Sequence, residues 1–327
     1  MITPRGATLL ATVCNATPSA VPYALWLCRN NEEYLVDLSS ELGQTGDCGL
    51  TGITFHGGKI YVAVQSITAG RILILDRSLA PVGVIANPGF VDIHSIHAEA
   101  NSLLVCSTGA QSVMRVNLTD HSTTKLCEFE ANIHLNSACY DGAELLVCCH
   151  HPSNVIPKAF RGGVINALRR EVALVGLGQP HSLCGDDGGF LVLDSDAHRV
   201  IKFDHTGIRQ QQLLTGFLRG LAPCGGSLFI ASSAGRVISR KSPSVPNSRE
   251  VWDMAAEPVC IHELDTATLE IKARHFPLVA GFEIYDLLAL EGDRAVDPPR
   301  ERLLVPNIHA MARAYYESAK RALAAMH

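Results

Sequence analysis

Charged side chains are scarce in this chain, and the net charge that it carries is acidic. Of its 327 residues, 18% are charged and 47% are hydrophobic, and the formal net charge is −5. Proteins that neutralise phosphate need a basic surface, so this balance argues against a nucleic-acid partner. The apolar content also argues against a disordered chain. The composition therefore predicts a well-buried globular protein.

No stretch near the N-terminus predicts a membrane span or a cleaved leader. The run from Ala7 to Val13 is too short to span and has no convincing cleavage site, so we interpret it as a strand and expect no membrane partner. The eleven cysteines are an odd number without a paired spacing. We expect them to be reduced, buried thiols in a cytoplasmic protein.

The motifs of two common enzyme classes are also missing. Gly176-Leu177-Gly178 lacks the third glycine and the following helix of a phosphate-binding loop, so we expect no nucleotide or flavin cofactor. None of Ser95, Ser137 and Ser182 lies in a nucleophile elbow, which argues against a serine hydrolase.

What the sequence does contain is a repeat in which a polar residue stands two places ahead of an apolar one, before a strand-like run. Most intervals fall near forty residues, the size of one four-stranded propeller blade. Because the innermost strands of a propeller surround its axis, these residues are expected to converge on one channel. The six residues, which we call the ring residues, are Thr51, His94, Asn136, His181, Arg219 and Glu283.

The clearest copy of the repeat runs from Gln179 to Gly207 as alternating strands and turns. It resembles the NHL repeat, which has a proline before the inner strand, an acidic-glycine turn and an apolar run ending in Asp. We therefore predict an all-β, six-bladed β-propeller comprising residues 1–327 as one domain.

The two ends of the chain are predicted to share one blade. Three N-terminal strands (7–14, 23–28 and 33–38) and one late strand (281–290) would complete it and so close the open sheet edges. An Ala-rich helix is predicted over 308–326, appended to the propeller. Two loops, at 150–163 and 242–258, are candidate lids.

The ring residues predict a site for small-molecule chemistry. Imidazole and carboxylate ligands suit a divalent metal, and zinc, iron and calcium are not distinguished; the proposed ligands are His94, His134, His181 and Glu283. Arg219 is expected to clamp an anionic or oxygen-rich substrate, with Thr51 and Asn136 also binding it. Tyr285 or Asp286 would transfer a proton.

Two family resemblances accompany this interpretation. From Gly49 to Leu290 the chain resembles the bacterial propeller proteins called domain of unknown function 4915 and a related conserved hypothetical family. The motifs that carry this resemblance are Asp92–Ile96, His134–Ser137, Pro180–Ser182, Leu191–Ser195, Gly216–Leu221 and Glu283–Asp286. It implies the propeller fold and no particular activity. More loosely, Pro180-His181 resembles the zinc-binding segments of the peptide α-amidating lyase propeller, which implies a metal on the axis.

Three functions remain open at this point. The first is a metal-dependent lyase, hydrolase or isomerase of small-molecule metabolism with its site in the channel. The second is a non-catalytic module that binds a small ligand or a protein, in which Arg219 and Glu283 are a buried ion pair and the histidines are packing residues. The third is a metal-independent isomerase or cyclase that uses His and Glu as acid and base. The oligomeric state is not predicted.

Overall fold

Six antiparallel sheets surround a channel, so the chain is a six-bladed β-propeller, as the repeat predicts. The computed structural model describes residues 7–14, 25–38, 40–42, 47–66, 68–156, 161–233, 259–277 and 283–304. Within those ranges the regular structure is strand, apart from three short 3₁₀ turns, and no helix is long and apolar enough to cross a membrane.

In blades 2 to 6, four consecutive strands run from the inner edge of the blade to its outer edge. Blade 2 consists of β4 (Asp47–His56), β5 (Lys59–Ser66), β6 (Arg71–Leu75) and β7 (Pro81–Ala86), and blade 3 of β8 (Ile93–Glu99), β9 (Ser102–Ser107), β10 (Ser112–Asn117) and β11 (Thr123–Glu128). Blade 4 consists of β12 (Leu135–Tyr140), β13 (Leu145–Cys149), β14 (Gly162–Asn166) and β15 (Glu171–Leu177), and blade 5 of β16 (Pro180–Asp186), β17 (Gly189–Asp194), β18 (Arg199–Asp204) and β19 (Gly207–Leu213). Blade 6 consists of β20 (Phe217–Cys224), β21 (Ser227–Ser233), β22 (Cys260–Asp265) and β23 (Ile271–His275).

Blade 1 is built from both ends of the chain, which confirms the predicted closure. Its order is β24 (Glu283–Leu290), β1 (Thr8–Cys14), β2 (Leu25–Arg29), β3 (Glu32–Val36) and β25 (Leu303–Leu304), so a fifth strand covers the outer edge. The predicted helix at 308–326 and the loop at 242–258 lie outside the described residues. The other candidate lid, 150–163, includes a 3₁₀ turn at Pro152–Asn154.

The apolar core lies in the seams between blades. The second strand of a blade packs on both neighbouring blades, and β13 and β21 are accordingly buried along their whole length. Such strands are continuous apolar runs instead of alternating ones. The outermost strands alternate, as in β7, because one of their faces meets solvent.

Every inner strand has an irregular register within two residues of its ring residue. Thr51, His94, Asn136 and Arg219 lie within the shift itself, whereas in β16 and β24 the shift falls at Ser182 and Tyr285. A β-bulge frees a residue from the ladder and redirects its side chain. The repeat in the sequence is therefore also a repeat of bulges facing the channel.

Hydrogen bonds at the level of the ring residues join each blade to the next. In each pair, the first residue lies in or next to the two innermost strands of one blade. It forms a hydrogen bond with a backbone group in the inner strand of the next blade, or in the segment just before that strand. The pairs, in order around the ring from blade 1, are Thr12 with Thr51, Ser66 with Asp92, Thr108 with Leu135, Asn136 with Pro180, Ser195 with Leu218, and Ser233 with Ile284.

Glycine follows two of the ring residues, Thr51 and Arg219, where adjacent inner strands approach closely. A Cβ atom on Gly52 would lie 2.4 Å from the backbone nitrogen of Ile96, and one on Gly220 would lie 2.6 Å from the backbone of Asp286. Neither neighbour is a flexible side chain that can move aside. Glycine at these two positions therefore sets the distance between blades.

We predict that Gly220→Ala destabilises the protein, because its methyl group would overlap the backbone of β24. The expected loss of unfolding free energy is about 1–3 kcal/mol, typical of overpacking, and urea denaturation measures it. Gly185→Ala is the matched control, since Cys139 Sγ at 3.9 Å is the one heavy atom that a Cβ atom there would meet within 4 Å. Equal stability of the two variants would contradict the close-approach argument.

Candidate functional site

Three ring residues from blades 3, 4 and 5 and Tyr285 from blade 1 bring their side chains together in the channel. His94 Nδ1 lies 2.8 Å from Asn136 Oδ1. The ring of Tyr285 meets the edges of His94 and His181, with centroid distances of 5.6 and 6.2 Å. These four side chains are all buried. The structure thus assembles residues that lie nearly 200 positions apart in the sequence.

His181 is held as a neutral imidazole by its surroundings. Its Nδ1 lies 2.8 Å from both the Gln179 carbonyl oxygen and Ser195 Oγ. The carbonyl oxygen can only accept, so Nδ1 carries the proton, and Nε2 has no hydrogen-bond partner among the described residues. Burial, the Arg219 cation and the neighbouring histidines hold the pKa of His181 well below its ordinary value. At neutral pH, His181 therefore has a bare Nε2, which is the form of a general base.

Arg219 lies beside this base and is paired with Glu283. Its guanidinium also stacks on the rings of Phe217 and Tyr285, 4.6 and 5.5 Å from their centroids. The ion pair that we raised from the sequence is therefore present, and it compensates both charges. A planar guanidinium has five N–H donors, so one carboxylate does not exhaust its capacity.

Two further histidines, His134 and His150, lie next to the ring residues, and only His134 was predicted from the sequence. His134 lies 5.4 Å from His94 between ring centroids, and it stacks on His150 at 4.2 Å. His150 in turn meets the edge of His181 at 5.6 Å. The sequence analysis selected His134 but did not assign His150 to the site.

The missing signal was the bulge in β12. Without it, continuing the register of Ser137 with Cys148 would set His134 opposite His151. The register shift beyond Ser137 pairs Leu135 with Cys149, and the His150 N–H then bonds the His134 carbonyl. A bulge assigned to Asn136 from the sequence would have predicted that His134 lies opposite His150.

Backbone strain marks the position two residues before several ring residues. Asp92, His134 and Gln179 have φ values of 50, 50 and 53°, and Gly49 occupies the same place with 116°. Left-handed conformations are costly for residues other than glycine and are concentrated at functional sites. At Asp92 the conformation accompanies a carboxylate oxygen 3.5 Å from His94 Nε2.

Two further residues named from the sequence contact backbone. Thr51 Oγ1 donates to the Ile93 carbonyl across the seam at 2.7 Å. Asp286 accepts the backbone N–H groups of Ile53 and Leu287 at 3.1 and 2.9 Å. Burial raises the pKa of Asp286 from 3.8 to about 7. The roles predicted for both, in substrate binding and in proton transfer, stay predictions.

The four predicted metal ligands do not form a ligand set in this arrangement. Glu283 is paired with Arg219, and His94 uses Nδ1 on Asn136. Among the described residues, no three His, Cys, Asp or Glu side chains are arranged to hold one ion. We therefore derive no chemical step through a metal, and the metal stays a prediction from the sequence.

Comparison with known proteins supports the class of fold. No protein-family model and no curated protein matches the chain. A chain in a crystal structure of a nidogen–laminin complex matches with a TM-score of 0.57 and 11% identity, covering 87% of this chain and 98% of that one. A streptogramin B lyase structure matches with a TM-score of 0.45 and 13% identity, covering 72% and 70%. The first likeness is one of fold alone, and we draw nothing from the second.

We predict that Asp286 makes stability fall as the pH rises. Its folded-state pKa is raised above the unfolded value of 3.8 to about 7. The stabilising contribution of the neutral carboxyl group is therefore complete below pH 3.8 and is lost as the pH rises through 7. The difference in unfolding free energy between wild type and Asp286→Asn, measured in urea at pH 5 to 8, should shrink as the pH rises.

The exposed Asp187→Asn variant controls for the loss of one carboxyl group. A difference between wild type and Asp286→Asn that stays constant over this pH range would disprove the assignment.

Proposed function

We propose that this protein is an enzyme that moves a proton from one atom to another of a small, oxygen-rich or anionic molecule bound among the channel histidines. The reaction type that this chemistry favours is that of a lyase or an isomerase. The observation that carries the proposal is His181, a buried histidine with Nδ1 fixed and Nε2 without a hydrogen-bond partner among the described residues. A histidine that only packs the core normally has both nitrogens hydrogen-bonded, because buried polar groups are paired.

The proposed step needs only side chains of this chain. His181 Nε2 accepts a proton from a C–H or O–H group of the substrate, and the electron pair of that bond moves onto the substrate. Arg219, stacked between two rings, stabilises the oxygen on which negative charge develops. His181 then returns the proton at another atom in an isomerisation, or to a leaving group in an elimination.

Proton abstraction can be measured before the substrate is known. We would incubate the protein in D₂O with a panel of hydroxy acids, keto acids and lactones, and follow loss of the substrate proton signal by NMR. For the compound that exchanges, we expect His181→Gln to slow exchange by roughly 10²–10⁴-fold, while thermal stabilisation by the compound persists. His205→Gln, at an exposed turn of blade 5, is the matched control.

The same experiment separates the proposal from the binding module. Thermal stabilisation by a compound without any exchange or product would favour the binding module. Exchange that is unchanged in His181→Gln would remove His181 from the mechanism.

The metal-dependent form of the proposal has its own test, which is elemental analysis of the purified, untagged protein. If the predicted ligands hold a cation, the wild type contains near-stoichiometric metal and the His94→Ala, His181→Ala double variant contains none. Metal absent from both, with exchange activity intact in the wild type, would refute the predicted metal and favour the metal-independent mechanism.

We also propose a cytoplasmic location. In support, the ten cysteines whose side chains the structure describes are all free thiols, and most are buried. Burial raises the pKa of Cys106 and Cys149 to about 12, which keeps these thiols protonated and unreactive. Reduced cysteines of this kind are typical of a reducing compartment.

A further inference from the structure

The Asn136 side chain makes three contacts that together determine where the neighbouring protons lie. Its Nδ2 atom lies 2.7 Å from the Pro180 carbonyl oxygen and 2.6 Å from His150 Nε2. Its Oδ1 atom lies 2.8 Å from His94 Nδ1. The residue is 2% exposed, so these contacts are made away from bulk water.

The Pro180 contact fixes the orientation of the amide. A carbonyl oxygen can only accept a hydrogen bond, so the group facing it must be the NH₂ group. The same NH₂ group then donates to His150 Nε2, which must be unprotonated. On the other side, the amide oxygen can only accept, so His94 Nδ1 must carry a proton.

We propose that Asn136 is a positioning residue that fixes the tautomers of His94 and His150, with the proton on Nδ1 in both rings. Both N–H donors of the amide are used within the protein, and the direct substrate contact predicted from the sequence stays a prediction. The positioning role also makes His150 a member of the site. Asn136 achieves this by linking three blades, because His94, His150 and Pro180 belong to blades 3, 4 and 5.

The fixed tautomers have a consequence for the two histidines among the ring residues. This consequence rests on the proposed function. His94 has Nδ1 fixed by Asn136, and His181 has Nδ1 fixed by the Gln179 carbonyl group. In both rings, Nε2 is therefore the nitrogen that takes no part in this contact and carries no proton. Both rings also meet the Tyr285 ring from separate blades. The two rings then have identical tautomers, but their Nε2 atoms differ in surroundings: that of His181 has no hydrogen-bond partner among the described residues, whereas that of His94 lies 3.5 Å from an Asp92 carboxylate oxygen.

The test is a long-range ¹H–¹⁵N NMR spectrum of protein labelled at histidine, recorded at pH 8. Signals are assigned with His94→Gln and His150→Gln. We expect both rings to carry the proton on Nδ1 in the wild type. In Asn136→Leu, which is similar in size and has no polar atom, both should shift toward the Nε2-protonated form that free histidine favours.

His181 is the internal control in the same spectrum, because its Nδ1 contacts do not involve Asn136. An unchanged His181 signal in Asn136→Leu establishes that the channel is still folded. If that variant does not fold, the wild-type spectrum decides, since a proton on Nε2 of His150 overturns the proposal. Unchanged tautomers of His94 and His150 in a folded Asn136→Leu variant overturn it as well.

These readouts need no substrate, so they stand if the proposed function fails. If a substrate is found by the exchange assay, we expect Asn136→Leu to lower kcat at least tenfold with a smaller change in KM. The reason is that a wrong tautomer spoils proton transfer more than it spoils binding.

Discussion

The β-bulge at or within two residues of each ring residue is the constraint on which the rest of this propeller depends. A regular inner strand would direct its side chains at the flanking blades, where the core clusters lie. The shift in register releases one residue per blade from that packing and directs it toward the channel. It also changes which residue of the second strand lies opposite a given residue of the inner strand, as the pairing of His150 with His134 demonstrates. Fold and site are therefore consequences of one local irregularity, repeated around the axis.

Closure of the ring is compatible with this irregularity because polar side chains take over the hydrogen bonds that the bulges disrupt. Thr12, Ser195 and Ser233 each bond the backbone of the following inner strand. Such bonds are short-range and directional, so they fix the height of neighbouring blades relative to each other. Apolar packing in the seams gives most of the stability but tolerates sliding. The ring of polar contacts gives the register that a site assembled from four blades requires.

The sequence predicted the features that depend on periodicity. The polar residue repeat is enough to define six blades, the shared terminal blade and the six ring residues, because one apolar pattern specifies every hairpin. It could not predict features that depend on a shift of one residue. His150 was missed for this reason, and the buried contacts of Asp286 are to backbone N–H groups, which no motif specifies. Nor could it predict tautomers, since the decisive partners, Pro180 O and Gln179 O, are backbone atoms.

The electrostatics of the channel explain how so many histidines can lie together. Four imidazoles within 6 Å of a neighbour would repel one another if they were all protonated in a poorly solvated space. Arg219, with its charge compensated by Glu283, adds a permanent cation to the same region and depresses the pKa of His181 further. His181 is neutral, and Gln179 and Ser195 provide its hydrogen-bond partners in place of a compensating charge. Asn136 contacts two of the other rings, those of His94 and His150. Hydrogen bonds from the surrounding blades thus position three of these histidines around one arginine.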